Sequence, residues 1–385
     1  MKPLNTPINI KKSLRVGAMI LVVSVSVGLF IALFLGLLDR VGELRWKHLW
    51  IIGFLPAAGI LIYLLYSSFE KKIDERMPVL KSPLLMFSTL ITHLFGGSAG
   101  RESAATKMGE GLADVIANRF NCTPDELKLM LRCGAAAGFG AVFGTPFTGA
   151  IFAVEGIRIQ DWKFRYLLPC LFASFAADAV CQIVGATHTS YIIRSGSGNL
   201  SLIAMVLLSG IAFGAVAVIY ARLKSFISVK FDALTSSKWI IPVIGSALIL
   251  GISFFLGTFD YIGLGVTSPH SGGVSIVSAF VSGDIPFWGW MMKLLLTAIT
   301  LGSGFKGGEV TPLFFMGATL GNTIAVWTGV PIDLFAGLGF IAVFAGFTRS
   351  PMASTVMGLE LFGLEYGIYF AVVCWVAVWV GRKFE

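Results

Sequence analysis

Charged residues are scarce in this sequence, and their scarcity excludes most classes of soluble protein. Asp, Glu, Lys and Arg make up 13% of the 385 residues, about half of the share that is usual in soluble domains. Hydrophobic residues account for 56% of the chain, and the mean hydropathy is +0.84. The formal net charge of +8 is spread over short cationic patches between apolar runs, which does not indicate a nucleic-acid partner.

Histidine and cysteine are also sparse, and neither shows the spacing of a metal site or a redox centre. We interpret His93 and His270 as structural and His188 as solvated, since none has a partner at metal-ligand spacing. The five cysteines are expected to be small packing residues, with a disulfide left open. We therefore expect no metal and no cofactor. No nucleophile and base stand in a catalytic pattern either, which argues against an enzyme.

Long apolar runs indicate a polytopic, all-α membrane protein. A helix needs about 17 to 25 apolar residues to cross the hydrocarbon core of a bilayer. Four runs meet this length, at 16–38, 49–66, 200–220 and 239–256, and a fifth at 368–380 is marginal alone. Residues 1–15 carry four basic residues and no acidic one, so we expect them to form a cytoplasmic tail.

A glycine-rich stretch at residues 96–109, GGSAGRESAATKMG, places Arg101 and Glu102 among small residues in this apolar chain. A glycine-rich turn that leads into a helix leaves backbone N–H groups free, and the helix dipole adds partial positive charge there. Such a turn predicts an anion site, for which the Glu102 carboxylate would compete. Ionisable residues at membrane depth indicate function, although a plain helix start with an acidic first turn explains the same pattern.

The second half of the chain repeats this pattern. Residues 302–317, GSGFKGGEVTPLFFMG, form another glycine-rich break that ends in the same Met-Gly pair. Further along, Pro146 and Pro351 are 205 residues apart, and Glu155 and Glu360 are also 205 residues apart. Matching interruptions in two halves indicate a transporter or pore whose site lies at the repeat interface.

We therefore divide the membrane region into a first repeat at 16–195 and a second at 196–385. Because Glu155 and Glu360 take matched positions, we expect them to share a structural task at helix ends and not to transfer protons. Arg101 is expected to anchor its turn by binding carbonyls or an acid.

Three motifs resemble the CLC family of chloride channels and transporters: Gly100-Arg101-Glu102, Gly308-Glu309-Val310-Thr311-Pro312, and the Pro146…Glu155 element between them. The resemblance covers nearly the whole membrane region, and GGSAGRE and GGEVTP are most similar to the fluoride-exporting branch. It implies a CLC-like inverted repeat whose broken helices meet at mid-membrane. It also implies a multi-pass homodimer in the cell membrane, with one anion pathway per subunit.

The resemblance assigns a role to each glycine-rich motif. It makes Glu102 the gating glutamate, whose ionised carboxylate occupies the pathway and swings away when it is protonated. The partners that it implies are a halide ion, either fluoride or chloride, and protons. The anion-binding residues that it implies are Gly100, Arg101, Glu102, Glu309, Val310 and Thr311.

Several features depart from the family pattern. The Gly-Ser-Gly-Ile-Pro loop, which supplies a serine to the anion, is absent, and Ser103 stands where the gating motif usually has glycine. The sequence stops at Glu385, before the family's last helix and its anion-coordinating tyrosine. Gly156 follows Glu155, so the proton-transfer glutamate of the chloride/proton exchangers is missing, which favours the fluoride branch. We expect a truncated or diverged relative.

We predict transmembrane halide transport, as fluoride/proton antiport or fluoride export, with Glu102 as the gate. A small, strongly hydrated anion needs dense donors to replace its water, and opposed helix N-termini supply them. The alternatives are a chloride channel or chloride transporter, or a diverged relative that does not transport. The sequence does not distinguish a channel from an antiporter, because a free-energy difference of a few kcal/mol at the gate decides between the two mechanisms.

Overall fold

The computed structural model describes residues 10–75, 80–155, 164–195 and 202–383. Most of the predicted cytoplasmic tail lies outside these residues, and the first helix begins at Ile10. Within the described ranges the chain is almost entirely helical, and its one isolated β-bridge joins Gly100 to Gly308. The prediction of an all-α membrane protein is confirmed.

Fifteen α-helices follow one another within the described residues. In chain order they are α1 (Ile10–Lys47), α2 (Leu55–Glu75), α3 (Lys81–Leu94), α4 (Glu102–Arg119), α5 (Pro124–Phe143), α6 (Pro146–Glu155), α7 (Leu167–Ile183), α8 (Leu202–Leu234), α9 (Ile240–Leu256), α10 (Ile276–Ala279), α11 (Gly289–Gly302), α12 (Val310–Thr328), α13 (Ile332–Thr348), α14 (Pro351–Phe362) and α15 (Gly367–Lys383).

Five helical segments of the described chain are long and apolar enough to cross a membrane: Ser13–Lys47, Leu49–Phe69, Leu202–Leu234, Val310–Thr328 and Leu364–Lys383. Two of them contain the predicted runs at 16–38 and 49–66, and Leu202–Leu234 contains the described part of the run at 200–220. The last contains the run at 368–380 that was marginal alone. The predicted span at 239–256 forms α9, whose 17 residues make a shorter helix. The Val310–Thr328 span was not predicted from hydropathy, because polar and small residues dilute its apolar character.

Glycine and proline set the breaks between the short helices. The chain turns after α3 because Gly96 adopts a φ of +89°, which other residues rarely take. Helix α4 then begins at Glu102. Helix α5 ends at Gly144 in the left-handed conformation (φ +70°), and α6 starts at Pro146, which follows the usual rules for helix ends.

Each half contains one helix pair in unusually close contact. Helices α4 and α5 touch at Gly109 and Gly134, and helices α12 and α13 touch at Gly317 and Gly339. At all four positions a Cβ atom would collide with the backbone carbonyl of the partner glycine. Small residues allow such close packing of membrane helices, and the two pairs occupy matching places in the two halves.

The helices α4 and α12 point in opposite directions. Helix α4 ends beside the N-terminal part of α1, where Arg15 Nη2 donates a hydrogen bond to the Phe120 carbonyl at 2.6 Å. Helix α12 ends at the other face, since its Trp327 packs on Phe287, and the loop before Phe287 packs on the C-terminal end of α1 through His270 and Trp46. This arrangement is that of an inverted repeat. The exact repeat bounds stay predictions.

Basic residues identify the cytoplasmic face. Arg15 and Arg119 lie at one face, and Lys107, Lys224 and Lys306 line a cavity toward the same face. By the positive-inside rule we expect this face to be cytoplasmic and the C-terminal end of α1 to be extracellular, and the two faces are named accordingly below.

The helices α6 and α14 cap each other. The Glu155 carboxylate, at the end of α6, accepts backbone N–H groups from the start of α14. The Glu360 carboxylate, in the last turns of α14, accepts backbone N–H groups from the start of α6. The predicted structural task of Glu155 and Glu360 is confirmed.

Candidate anion site

The two glycine-rich turns meet at the centre of the fold. Gly100 and Gly308 donate to each other's carbonyls, and both N···O distances are 2.6 Å. Glycine suits this approach, because a Cβ on Gly308 would lie 3.0 Å from the carbonyl carbon of Gly100, closer than most Cβ contacts. This pair of hydrogen bonds fixes the N-terminus of α4 against the N-terminus of α12.

The Glu102 carboxylate lies on the N-terminus of α12. Its Oε2 accepts hydrogen bonds from Thr311 N at 3.0 Å and from Arg101 N at 3.1 Å, and the Thr311 hydroxyl also donates to it. The side chain is 1% exposed. The free N–H groups and the dipole of a helix N-terminus stabilise an anion. Glu102 therefore occupies, with its own negative charge, the donors that a bound anion would use.

Arg101 places a positive charge beside this carboxylate. Its Nε lies 3.4 Å from Glu102 Oε1, and its side chain is almost completely buried. The sequence predicted that Arg101 would anchor its turn through carbonyls or an acid, and the acid that it contacts is Glu102. Protonation of Glu102 would remove this counter-charge from Arg101 and from the α12 dipole, and the excess positive charge attracts a mobile anion.

The residues of the second motif, at 308–312, face different environments. Thr311 faces Glu102, as described, whereas the Glu309 carboxylate faces α8 and pairs with Lys224, Nζ to Oε1 at 2.6 Å. Val310 is buried and packs in the apolar core. The structure brings Gly100, Arg101, Glu102 and Thr311 together, whereas the side chains of Glu309 and Val310 point away. The prediction for Glu309 and Val310 concerned their backbone amides at the start of α12, and it stays a prediction.

Ser103 also contributes to the junction of the two glycine-rich turns. In the sequence this residue was only a departure from the family motif. Its Oγ accepts the backbone N–H of Glu309 at 3.3 Å. The serine therefore satisfies one free donor at the start of α12 and leaves the amide of Thr311 to Glu102. No sequence pattern marks this contact, since the two residues lie 206 positions apart.

A small cavity of about 20 Å³ adjoins the carboxylate, enough for about one water molecule. Aromatic rings line one side of it, and two of them, Phe314 and Phe340, stack with centroids 3.8 Å apart. Its polar lining consists of Arg101, Glu102, His188, Thr189, Tyr191 and Thr311. An apolar wall strengthens electrostatic interactions inside the cavity, because water screens them less.

Larger cavities approach the site from both faces. The extracellular cavity, about 590 Å³, is lined by Asp39, Glu43 and Lys47 and shares Val266 with the small cavity. The cytoplasmic cavity, about 430 Å³, is lined by basic and small residues together with Glu309. The Glu102 junction, the contact between Glu102 and Thr311 where the two turns meet, therefore lies between two wide cavities.

The histidines behave in different ways. His93 is structural, as predicted, because its ring nitrogens lie 2.8 Å from the Thr89 carbonyl and 3.0 Å from the Ala99 carbonyl. The prediction that His188 is solvated was wrong: its side chain is 18% exposed, both ring nitrogens are buried, and the ring lines the cavity of Glu102. The polar sequence around His188 gave no sign of this, because the fold returns the loop to the centre.

The fold and the site together define a class: a multi-pass helical membrane protein in which two broken helices, from inverted halves, converge on one buried carboxylate. The family model described as voltage gated chloride channel matches residues 50–382. The chain belongs to this family, the CLC family. Members of the family are channels or transporters and not enzymes.

Two curated relatives illustrate the range of the family. A chloride/fluoride channel protein from Pseudomonas syringae pv. tomato is 36% identical over 364 residues, which cover 89% of this chain and 79% of the relative. An H(+)/Cl(-) exchange transporter, ClcA, from Yersinia pestis bv. Antiqua is 27% identical over 312 residues, which cover 76% of this chain and 63% of the relative.

Among solved structures, the crystal structure of a CLC-type fluoride/proton antiporter is similar to this fold. It superposes with a TM-score of 0.88 at 30% sequence identity, covering 99% of this chain and 98% of the other. The similarity therefore extends over the whole described helical bundle.

Proposed function

We propose that this protein exchanges fluoride for protons across the cell membrane, with Glu102 as the gate. One observation carries the proposal: the Glu102 carboxylate lies on the amide and hydroxyl of Thr311, at the N-terminus of the opposing broken helix. Anion and carboxylate compete for these donors, so the occupancy of the site by one excludes the other.

This competition couples the two ions. The ionised carboxylate closes the site through charge-assisted hydrogen bonds, which weaken when a proton neutralises the group. The protonated side chain then leaves, and an anion takes the donors of Thr311 beside Arg101. The carboxylate returns only after it has lost its proton and the anion has moved on. One turn of this cycle moves anion and proton in opposite directions.

Two features favour fluoride over chloride as the main substrate. A hydroxyl donor and free helix amides replace the water of a small anion better than apolar groups do, and the cavity beside them is small. The GGSAGRE and GGEVTP motifs resemble the fluoride branch, and the similar solved structure is that of a fluoride/proton antiporter. Chloride is the second candidate, because a relative at 27% identity is named a proton/chloride exchange transporter.

The test is ion efflux from liposomes that contain the purified protein. We expect fluoride efflux to exceed chloride efflux and to be accompanied by proton uptake, read with an ion-selective electrode and a pH-sensitive dye. Glu102→Gln removes the titratable charge, so proton movement should stop while anion flux changes sharply. Glu43→Gln, at an exposed carboxylate of the extracellular cavity, is the control and should behave as wild type.

The outcomes separate the alternatives. If halide flux does not exceed that of empty liposomes, the transport proposal is wrong, and the alternative of a diverged relative that does not transport is supported. Anion flux without proton movement in the wild type would indicate a channel. Equal fluxes in wild type and Glu102→Gln would show that Glu102 is not the gate, but they would not contradict the anion pathway.

We also propose that the protein forms a homodimer, which rests on the family resemblance and on exposed aromatic side chains along α7 and α15. They include Phe172, Phe175, Trp375 and Trp379. Stepwise photobleaching of labelled protein in liposomes at low density checks this proposal. Two steps per particle would support the homodimer, and one step would contradict it.

A further inference from the structure

The cavity of Glu102 reaches a second titratable group, the imidazole of His188. This residue lies in the extended chain after α7, and its ring packs against Gly144, where α5 ends. Arg101, Glu102 and His188 all line the same cavity, which has room for about one water molecule. The ring is partly exposed, whereas both of its nitrogens are buried. His188 thus stands between the extracellular side and the gate.

The ring nitrogens of His188 are only weakly held. Neither makes a hydrogen bond of regular geometry with a described residue, and the Val142 backbone is the one weak hydrogen-bond partner of the ring among the described residues. His93 offers the contrast, because carbonyl groups hold both of its nitrogens in place. Protonation or deprotonation of His93 would break a structural bond. His188 has only its weak bond to the Val142 backbone to lose when it gains or loses a proton.

Asp178 of α7 lies close to this imidazole. The distance from His188 Nε2 to Asp178 Oδ1 is 3.8 Å, longer than a hydrogen bond and within reach of a small ring rotation. Asp178 is 7% exposed, and its Oδ1 has no other described hydrogen-bond partner, while Oδ2 accepts a bond from Gln182 at 2.9 Å. The free carboxylate oxygen is therefore available to an imidazolium ion.

The charged and titratable groups around His188 come from four segments of the chain. Arg101 opposes a positive ring, whereas Glu102 and Asp178 favour it. Tyr191 lines the cavity from the same loop as His188, and Glu360 of α14 interacts electrostatically with Asp178. Burial and the charge of Arg101 lower the pKa of the His188 ring, and the Glu102 and Asp178 carboxylates are the negative groups nearest to it. Protonation of Glu102 removes one of these negative charges and so favours release of the ring proton.

We propose that His188, positioned by Asp178, relays protons between extracellular water and Glu102. This inference rests on the proposed proton-coupled function. In the inward step the imidazolium N–H gives its proton, through one water molecule, to the Glu102 carboxylate; neutral imidazole and a carboxylic acid result. Because both ring nitrogens are buried, the imidazole then takes a proton from extracellular hydronium through a further water molecule, after a small rotation of the ring brings a nitrogen toward the cavity. The reverse sequence releases a proton outward.

The test compares His188→Gln with His270→Gln in liposomes. His270 is the matched control, since it also lies at the extracellular side beside an aspartate, Asp260, at 3.4 Å, but does not line the cavity of Glu102. We expect His188→Gln to slow proton uptake and coupled fluoride efflux by about tenfold or more. The decline in rate as extracellular pH rises should disappear with His188→Gln and persist with His270→Gln.

A second arm separates proton relay from a structural role. In a Glu102→Gln background no proton reaches the gate, so adding His188→Gln should leave anion flux unchanged if the ring only moves protons. Loss of anion flux in that double variant would overturn the relay and make His188 structural. Asp178→Asn, which keeps the shape of the side chain, should lower the coupled rate without altering flux in the Glu102→Gln background.

Failure of this inference differs from failure of the proposed function. If wild type shows no coupled fluoride and proton flux, the proposed function itself is wrong. If wild type is coupled and His188→Gln matches it in rate and pH profile, the relay is wrong. Protons would then reach Glu102 through the extracellular cavity past Val266, which lines both cavities.

Discussion

Glu155, at the end of α6, caps the start of α14, and Glu360, near the end of α14, caps the start of α6. Glu155 accepts hydrogen bonds from Met352 N at 3.0 Å and Ala353 N at 2.7 Å. Glu360 accepts from Phe147 N at 2.9 Å and Thr148 N at 2.7 Å. Both carboxylates meet free donors and the positive end of a helix dipole. This exchange ties the first repeat to the second at a place distinct from the Glu102 junction.

The reciprocal caps predict a stability effect without an effect on the gate. Glu360→Ala leaves the first amides of α6 without their buried acceptor, which we expect to cost about 2 kcal/mol. The midpoint of thermal unfolding in detergent should fall, while flux per folded molecule stays near that of wild type. Glu43→Ala, at an exposed position, is the control. A normal midpoint for Glu360→Ala would show that water replaces the cap.

Thr311→Val tests the hydroxyl donor at the anion site. Valine keeps the size and branching of threonine, so the main loss is one donor to the bound anion, about 1.5 kcal/mol or about tenfold in affinity. The KM for fluoride, from initial efflux rates, should rise accordingly. Thr319→Val is a matched control, because that buried hydroxyl bonds only within its own helix, to the Phe315 and Met316 carbonyls. A similar KM change in both variants would contradict a direct contact.

The sequence was sufficient to predict the two glycine-rich turns, because turns, helix dipoles and membrane depth leave local signatures. It also predicted that the halves repeat, and that Glu155 and Glu360 act at helix ends. It did not predict the contacts of Ser103 with Glu309, of Glu309 with Lys224, or of His188 with the cavity. Each depends on the three-dimensional approach of residues that are far apart in the chain, for which single-sequence periodicity carries no signal.

Gly308→Ala tests the bridge that joins the two turns. The added Cβ would lie 3.0 Å from the Gly100 carbonyl carbon and 3.1 Å from the backbone nitrogens of Arg101 and Glu102, so the two turns must shift apart by a few tenths of an ångström. We expect flux to be lost even in protein that still folds. Gly251→Ala is the matched control: nothing lies within 4 Å of its Cβ position, and alanine favours a helix by about 1 kcal/mol. Full flux in Gly308→Ala would mean that the bridge is dispensable.

Lys224→Gln tests the cytoplasmic approach to the site. Lys224 Nζ lies 2.6 Å from Glu309 Oε1 and lines the cytoplasmic cavity. Its loss leaves Glu309 without this counter-charge, and an unbalanced carboxylate repels an arriving anion. Fluoride efflux from the cytoplasmic side should slow several-fold at low salt and recover in part as salt screens the repulsion. Lys238→Gln breaks a comparable pair with Asp232, 2.8 Å apart on the surface, and should leave efflux unchanged. A rate for Lys224→Gln that equals wild type at every ionic strength would assign the Lys224–Glu309 pair to stability alone.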